Sequence, residues 1–358
     1  MILLNPGPVT MSHGVRAALA VEDVCHREPE FLGLVADVRR RLVAVYGDPD
    51  TEGVLLGGSG TAAVESMLSL ARRDRPTVVV ANGVYGERMA AMLASQGKPH
   101  VVVPHPWTSA VDLARVETAI AREKPAHVAV VHHETTTGRK NALAPLGALA
   151  RAAGASLLVD AVSSFGCEEI RFAPWNVDAV AATANKCLHG APGVSFVVAR
   201  KDVLEGPCFP TTLYLDLGRL AAIQRRGDLA FTLPTHVTFA LQQALVELTA
   251  DGGVEGRRAT YLARASVVRR ALVDSGVSPL LGDDTGAAAL AAYALPEGTT
   301  WSEVHDGLRA DGFVAYAGQG PLATTTFRVA VMGSMGSGDL ARLDASLRRV
   351  FARAGVRT

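Results

Sequence analysis

The sequence has few cysteines, no excess charge of either sign and no long apolar run. Its four cysteines among 358 residues are scattered and form no CxxC pair, so no zinc site or disulfide framework is indicated, and a reduced cytoplasm is the expected location. The 35 basic and 35 acidic residues leave no net charge to attract nucleic acid or an anionic membrane, which favours a small-molecule partner. No apolar stretch approaches about 20 residues, and the N-terminus lacks the segments of a signal peptide, so neither a membrane span nor export is predicted.

Lysine is also scarce, because only five lysines stand among the 35 basic residues. Lys186 alone ends a long apolar run, at 180–186, and Lys140 is its only rival as a reactive amine. The other lysines lie beside turn or charged residues and are predicted to be solvated: Lys98, Lys124 and Lys201.

Hydrophobic residues make up 49% and charged residues 20% of the chain, a globular balance, and the length exceeds one ordinary core. From residue 54 to 200, short β-branched runs alternate with amphipathic stretches. The runs lie at 54–56, 78–81, 100–103, 128–132, 157–160, 180–183 and 195–199. This alternation predicts an α/β fold with a mostly parallel sheet covered by helices on both faces, in which ligands bind beyond the carboxyl ends of the strands.

Beyond about residue 235 the pattern becomes helical and then mixed. The predicted segments are helices at 236–249 and 254–275, a strand at 288–295, a helix at 301–311, a strand at 326–331 and a helix at 339–352. We therefore predict a large ligand-binding domain over 16–240, a smaller α+β C-terminal domain over 241–358, and an N-terminal segment, 1–15, that packs on the small domain.

Two polar residues end apolar strand-like runs, Asp160 at 156–160 and Lys186 at 180–186. An amine can hold the aldehyde of pyridoxal phosphate as a Schiff base, and a carboxylate can pair with the pyridine nitrogen so that the ring stays protonated and accepts electrons. Taken singly, Asp160 can cap a turn and Lys186 can be an ion-pair partner. Together they indicate an enzyme that uses this cofactor.

A glycine-rich turn at 57–60 follows the first predicted strand and leads into a helix. Its backbone N–H groups, the helix N-terminus and the hydroxyls of Ser59 and Thr61 suit a phosphate. The turn also fits the GxGxxA form of the dinucleotide fingerprint. That fingerprint requires an acidic residue after the second strand, where this chain has Asn82, so the dinucleotide alternative is disfavoured.

Two further loops follow predicted strands. Tyr85 lies in a glycine-rich loop where its ring can stack on a pyridine ring, although a tyrosine packed at a turn is an equal alternative. Residues 135–137 are three threonines whose hydroxyls can touch a ring oxygen. The preceding residues 132–134, two histidines and a glutamate, resemble metal ligands, but adjacent strand positions face opposite ways, so no metal is predicted.

Arg328 lies between Phe327 and Val329 in the second strand of the small domain. A guanidinium that projects from such a strand can grip a carboxylate with two parallel hydrogen bonds. The flanking apolar residues weaken the alternative, a surface salt bridge.

The chain resembles the class V, fold-type I pyridoxal-phosphate aminotransferases over nearly its whole length. The motifs that carry the resemblance are LNPGPVT at 4–10, CHRE at 25–28, GSGTAAVE at 58–65, HETTTG at 133–138, VDAVSSFG at 159–166, ANKC at 184–187 and FTLPTH at 231–236. Within that family the motifs are most similar to those of transaminases that act on 2-aminoethylphosphonate and pyruvate. Two positions depart from the usual pattern: Ala330 replaces a glycine and Gln319 replaces a loop lysine.

The resemblance implies a role for each candidate residue. It implies that Lys186 carries the cofactor and shuttles the proton and that Asp160 holds the ring nitrogen. The remaining cofactor contacts that it implies are Ser59, Gly60, Thr61, Tyr85, Thr135, Thr137 and, from the other subunit, Thr232. It implies Arg328 as the carboxylate-binding arginine, with further substrate contacts from Asn5, His26 and Arg27 by motif position. A homodimer with shared active sites follows from the position of Thr232.

The activity that the resemblance implies is transfer of the amino group of 2-aminoethylphosphonate to pyruvate, giving phosphonoacetaldehyde and L-alanine. Three alternatives keep the fold and change the substrate or the chemistry: a phosphonopyruvate/phosphonoalanine transaminase, an aminophosphonate ammonia-lyase and an alanine-glyoxylate aminotransferase. A fourth, a protein that binds the cofactor without turnover, is disfavoured because the full catalytic set is present.

Overall fold

The computed structural model describes residues 1–282 and 286–353 of the chain. The strands are β1 (Ile2–Leu3), β2 (Thr51–Gly57), β3 (Thr77–Ala81), β4 (His100–Pro104), β5 (His127–Val131), β6 (His133–Glu134), β7 (Arg139–Lys140), β8 (Ser156–Asp160), β9 (Val177–Thr183), β10 (Val194–Arg200), β11 (Leu290–Ala294), β12 (Phe313–Val314), β13 (Tyr316–Ala317) and β14 (Thr326–Ala330).

The helices alternate with these strands in the first two hundred residues and dominate afterwards. They are α1 (His13–Ala17), α2 (Pro29–Ala44), α3 (Gly60–Met67), α4 (Val84–Ser95), α5 (Leu113–Glu123), α6 (Leu143–Ala152), α7 (Lys201–Glu205), α8 (Leu217–Arg225), α9 (Thr235–Ala250), α10 (Gly253–Asp274), α11 (Trp301–Ala310) and α12 (Ser337–Arg353). Short 3₁₀ turns occupy Ala18–Ala20, Leu68–Leu70 and Gly320–Leu322. Among the described helices, none is long and apolar enough to cross a membrane.

A central seven-stranded sheet has the order β2-β10-β9-β8-β5-β3-β4. β10 runs antiparallel to its neighbours β2 and β9, whereas all the other pairings in this sheet are parallel. The predicted mostly parallel α/β sheet is confirmed, and each of its seven predicted strands is present. Four strands lie between β2 and β3, which contradicts the dinucleotide alternative, because that motif needs its first two strands side by side.

Helices cover both faces of the sheet, so its strands are apolar on both sides. In β3, Val78 and Val80 join a buried cluster that includes Phe31 of α2. Val79, between them, points to the opposite face and joins a second cluster with Met89 of α4. This two-sided burial explains why the strands appear in the sequence as continuous apolar runs.

The C-terminal part has its own antiparallel sheet, β11-β14-β13, and a third buried cluster with helices α10 and α12. The strands and helices predicted beyond residue 235 are all present. β1 pairs in parallel with β12, and the N–H of Ala330 donates to the carbonyl of Leu4 at 2.6 Å. The division of the chain into 1–15, 16–240 and 241–358 stays a prediction, and residues 283–285 and 354–358 of the last part lie outside the described residues.

Two glycines inside helices give a stability prediction, because only one of them has a close neighbour. A methyl group added at Gly147 of α6 would lie 1.9 Å from the carbonyl oxygen of Trp175, whereas one added at Gly33 of α2 meets nothing within 4 Å. We expect Gly147→Ala to lower the free energy of unfolding by about 1–3 kcal/mol through overpacking. Gly33→Ala is the matched control and is expected to raise it by about 0.5–1 kcal/mol, since alanine favours the helix. Chemical denaturation measures both, and equal effects of the two substitutions would contradict the packing of α6.

Candidate active site

The carboxyl ends of β8 and β9 bring Asp160 and Lys186 to the same edge of the sheet. Asp160 is the last residue of β8 and pairs with Ala181 of β9, and Lys186 lies in the turn that follows β9. Lys186 Nζ donates a 2.8 Å hydrogen bond to Ser163 Oγ and lies 5.7 Å from the centre of the Tyr85 ring. Three predicted site residues therefore meet in one place.

Asp160 is a buried carboxyl group. Its Oδ1 accepts a 2.9 Å hydrogen bond from the N–H of Val162. Burial raises the pKa of Asp160 to about 6, although the Val162 hydrogen bond and the charge of Lys186 act in the opposite direction. A buried carboxyl group with this pKa gains most from a cationic partner, such as a protonated ring nitrogen.

The other lysines are not candidates for the reactive amine. Lys140 Nζ forms a 3.1 Å ion pair with the buried carboxylate of Glu168. The prediction that Lys98 is solvated is wrong, because this side chain is buried and donates a 2.5 Å hydrogen bond to the carbonyl of Leu68. Burial lowers the pKa of Lys98 to about 8. Lys98 lies beyond the C-terminal end of α4 and not at the strand ends that carry the site, so we assign it a structural role.

The glycine turn before α3 forms an exposed helix N-terminus. Ser59 precedes the first helical residue and its side chain makes no capping bond, and the hydroxyl of the exposed Thr61 likewise makes no hydrogen bond to another described residue. Gly60 is buried: a methyl group added there would lie 2.8 Å from Val162 Cγ1 and 3.3 Å from Thr183 Cβ. Because Gly60 has no side chain, the start of α3 can pack closely against the ends of β8 and β9. The two unpaired hydroxyls and the helix N-terminus suit a phosphate at this place.

Glu134 connects the threonine cluster to the tyrosine loop. Its carboxylate accepts hydrogen bonds from the N–H groups of Tyr85, Gly86 and Thr136 and from the hydroxyl of Thr136, at 2.6–3.3 Å. Burial raises the pKa of Glu134 despite these bonds. The carboxylate of Glu134 is thus occupied by N–H and O–H donors.

Buried polar atoms without partners mark the same place. The hydroxyls of Thr135 and Thr137 and Nε2 of His133 are buried and make no hydrogen bond to the described residues. His133 Nδ1 lies 3.1 Å from the carbonyl of Ser163, the residue that binds Lys186. Because unpaired buried polar groups are costly, these atoms are suited to a polar ligand. Among the described residues, no group of three or more histidine, cysteine, aspartate or glutamate side chains could hold a metal ion.

Arg328 brings a positive charge to this site from the small sheet. Its Nε donates to the carbonyl of Ala317 at 3.0 Å, and its Nη1 donates to the carbonyl of Thr135 at 3.2 Å and to Gln319 Oε1 at 3.0 Å. Burial lowers the pKa of Arg328, and Tyr85 is among the groups that act to raise it. No carboxylate of the described residues forms an ion pair with this guanidinium, which leaves its charge available to an anion.

The N-terminal segment passes beside Lys186. A methyl group added at Gly7 would lie 3.0 Å from Lys186 Cγ. Asn5, two residues earlier, is buried, and its amide donates to the carbonyl of Pro8 at 2.7 Å. The structure therefore brings the segment of Asn5 to the lysine.

The structure does not bring His26, Arg27 or Thr232 to Lys186 within one chain. His26 Nε2 lies 3.3 Å from Thr232 Oγ1, so these two candidates are neighbours of each other. Arg27 is exposed and forms no hydrogen bond or ion pair with the described residues. Arg27 and Thr232 are exposed and His26 is half-buried, and a methyl group added at Gly57 of the phosphate turn would lie 3.9 Å from the carbonyl oxygen of Thr232.

Sequence reasoning did not predict the contacts that four residues make at this site. Ser163 holds Lys186, Glu134 holds the Tyr85 loop, Gln319 holds Arg328, and the guanidinium of Arg88 lies 4.8 Å from the centre of the Tyr85 ring. The position of Glu134, between an apolar strand and a threonine cluster, was a signal in the sequence that this residue contacts the site. The contacts of Arg88 and Gln319 depend on tertiary structure.

The residues present fit pyridoxal phosphate. The amine of Lys186 matches the aldehyde of the cofactor, and the buried carboxyl group of Asp160 matches its ring nitrogen. The ring of Tyr85 matches the ring face, and the unpaired buried hydroxyls match the ring substituents. The exposed helix N-terminus matches the phosphate.

Comparisons with known proteins agree with this geometry. A family model described as "Aminotransferase class-V" matches residues 14–210. The chain is 35% identical over 352 residues to the bifunctional phosphonoacetaldehyde hydrolase/aminoethylphosphonate transaminase of Clostridioides difficile (strain 630), covering 96% of this chain and 55% of that protein, so it spans about half of that relative. It is 35% identical over 363 residues to the 2-aminoethylphosphonate--pyruvate transaminase of Burkholderia ambifaria (strain MC40-6), covering 99% and 96% of the two chains.

Solved structures share the whole fold. The alanine--glyoxylate aminotransferase of Nostoc sp. has a TM-score of 0.90 and 27% identity, covering 98% of this chain and 94% of the other. The likeness extends over both the central sheet and the C-terminal part. The chain therefore belongs to the class-V aminotransferase family, a family of fold-type I transaminases that implies pyridoxal phosphate as the cofactor.

Proposed function

We propose that the protein transfers the amino group of 2-aminoethylphosphonate to pyruvate, giving phosphonoacetaldehyde and L-alanine. We infer the type of reaction from the family and the class of substrate from Arg328. Arg328 is a buried cation with no carboxylate partner among the described residues. Pyruvate, alanine and the aminophosphonate all carry an anionic group that this charge can bind in turn. The two relatives named above as transaminases of aminoethylphosphonate support the choice of donor.

We infer that the cofactor is held by residues from four strand ends. Ser59, Gly60 and Thr61 bind its phosphate at the N-terminus of α3, Asp160 pairs with the ring nitrogen, and Tyr85 stacks on the ring. The unpaired hydroxyls of Thr135 and Thr137 bind the ring substituents. When bound, pyridoxal phosphate supplies an electron-accepting ring that stabilises negative charge at the amino-bearing carbon.

Lys186 is the proposed base of the reaction. Its Nζ would hold the cofactor, and as a free amine Nζ would take the proton from the amino-bearing carbon of the donor, hold it as an ammonium group and deliver it to the carbon that receives the amino group. Ser163 Oγ, 2.8 Å from Nζ, orients the amine between these tasks. The ionised carboxylate of Asp160 is buried and can only accept hydrogen bonds, so it keeps the ring nitrogen that it contacts protonated.

We further propose a cytoplasmic homodimer in which Thr232 reaches the phosphate bound by the partner chain. This is supported by the exposure of Leu213 and Tyr214, large apolar side chains that are 62% and 45% exposed. Tyr214 donates a 3.0 Å hydrogen bond to the carbonyl of Gly57, at the start of the phosphate turn. The four free cysteines fit a reducing compartment.

The substrate proposal predicts a stoichiometric half-reaction. The holoenzyme mixed with 2-aminoethylphosphonate alone should convert its bound cofactor to the amine form in a single turnover, and pyruvate should reverse the change with one equivalent of alanine per site. Stopped-flow absorbance and amino-acid analysis measure the two halves. Release of ammonia without any need for pyruvate would instead establish the lyase, and a cofactor spectrum unmoved by this donor would contradict the substrate.

The raised pKa of Asp160 predicts how cofactor affinity depends on pH. Below a pH of about 6 the carboxyl group is protonated, and that proton must leave before the group can pair with a protonated ring nitrogen. The contribution of Asp160 to the affinity of the apoprotein for pyridoxal phosphate should therefore fall by up to about tenfold for each pH unit below about 6 and be level above it.

Equilibrium dialysis of the apoprotein against the cofactor measures this profile without turnover. Asp160→Asn is the matched control, because it keeps the shape of the side chain and cannot titrate, so its affinity should be weaker and the ratio of the wild-type affinity to its own should fall below a pH of about 6. A ratio that does not change with pH would show that Asp160 does not hold the ring nitrogen.

A further inference from the structure

The guanidinium of Arg328 is surrounded by neutral acceptors. Two of its partners are backbone carbonyls, those of Thr135 in the turn after β6 and of Ala317 in β13, which cannot move without moving the main chain. A third is the side-chain oxygen of Gln319, 3.0 Å from Nη1. The arginine is thus held in place without losing its charge, and its movable partners are two neutral side chains, those of Gln319 and Tyr85.

The orientation of the Gln319 amide follows from the chemistry of its partner. A guanidinium has only donors, so the atom that faces Nη1 must be the amide oxygen. The amide nitrogen is bonded to the same carbon as that oxygen, and it donates no hydrogen bond to the described residues. Two free N–H groups therefore lie next to the charge that binds the substrate.

The backbone around Gln319 is fixed on both sides. A methyl group added at Gly318 would lie 2.3 Å from Thr326 Oγ1, and one added at Gly320 would lie 2.8 Å from Cη2 of Trp107. Trp107 itself donates a 2.8 Å hydrogen bond from Nε1 to Glu87, one residue before Arg88. The loop of Gln319 is thus clamped between β14 and the loop after β4, so its half-buried side chain starts from a defined position.

We propose that Gln319 is a specificity-determining residue that reads the head group of the amino donor. Its amide nitrogen donates to one oxygen of a tetrahedral, three-oxygen head group whose other oxygens are held by Arg328. This inference rests on the proposed function, which it deepens by assigning the selection of a phosphonate over a carboxylate to one side chain.

The geometry of the two head groups supplies the reason. A carboxylate has two oxygens in one plane and is satisfied by a guanidinium alone, whereas a phosphonate has a third oxygen out of that plane and a second charge. The amide can serve that third oxygen in the donor half-reaction and return to Arg328 in the keto-acid half-reaction. A carboxylate at this position would instead pair with Arg328 and repel both substrates.

The test uses small head-group probes that do not react. Dissociation constants of methylphosphonate, methanesulfonate and acetate are measured on the holoenzyme from the change in its cofactor absorbance, for the wild type, Gln319→Leu and Gln319→Glu. Gln242→Leu is the matched control, because that glutamine donates to Asp37 of α2, outside the site. Thermal unfolding of each variant verifies the fold.

Loss of one hydrogen bond to a charged group corresponds to about ten- to a hundredfold in affinity. We expect Gln319→Leu to weaken methylphosphonate and methanesulfonate by about that factor and to leave acetate unchanged. Gln319→Glu should weaken all three anions at unchanged thermal stability. Equal weakening of all three by Gln319→Leu would show that Gln319 only positions Arg328, and no effect would place it outside the head-group site; either result overturns the inference.

Turnover separates this inference from the proposed function. Three donors share one two-carbon amine and differ only in the head group: 2-aminoethylphosphonate, taurine and β-alanine. If the wild type uses none of them, the proposed function fails, while the probe affinities still test Gln319. If it prefers the phosphonate, Gln319→Leu should reduce the ratio of kcat/KM for the phosphonate to that for β-alanine by about ten- to a hundredfold, chiefly through KM.

Discussion

The carboxylate of Glu134 organises the site. It is fully buried at the end of the β6 strand, and its four hydrogen bonds join the start of α4 to the threonine cluster. Tyr85 takes its position from this carboxylate through its own N–H group. The carbonyl of Thr135, the next residue, accepts from Arg328, so the same short segment also holds the guanidinium of the small sheet. The segment around Glu134 therefore connects the ring of Tyr85, the threonine hydroxyls and the arginine.

The arrangement of charge around Tyr85 follows from that constraint. Lys186 Nζ lies 5.7 Å and the guanidinium of Arg88 lies 4.8 Å from the centre of the ring, and Arg328 approaches from the small sheet. Burial raises the pKa of both acidic groups, Asp160 and Glu134. A site with several cations and two buried acids favours anionic ligands, which agrees with a phosphorylated cofactor and with substrates that carry a phosphonate or a carboxylate.

The sequence could predict what depends on local pattern. Apolar runs on a two-sided sheet predicted the central strands, and the polar residues at the ends of those runs, Asp160 and Lys186, meet as expected because parallel strands share a carboxyl edge. It could not predict contacts between distant segments. Gln319 meets Arg328, and Lys98 is buried under the turn after α3, because of packing that no local pattern encodes. The place of Thr232 beside His26 is also tertiary, and its proposed partner is another chain.

The central claim is that Lys186 is the amine that carries the cofactor, and reductive trapping tests it most directly. The holoenzyme is treated with borohydride and digested, and the peptide that bears the cofactor is identified by mass spectrometry. The account predicts a single labelled peptide with the mass of the cofactor on Lys186, and no label in Lys186→Ala. Label on Lys140, which is held by Glu168 at 3.1 Å, or an unlabelled wild-type chain that cannot be reconstituted with the cofactor, would contradict it.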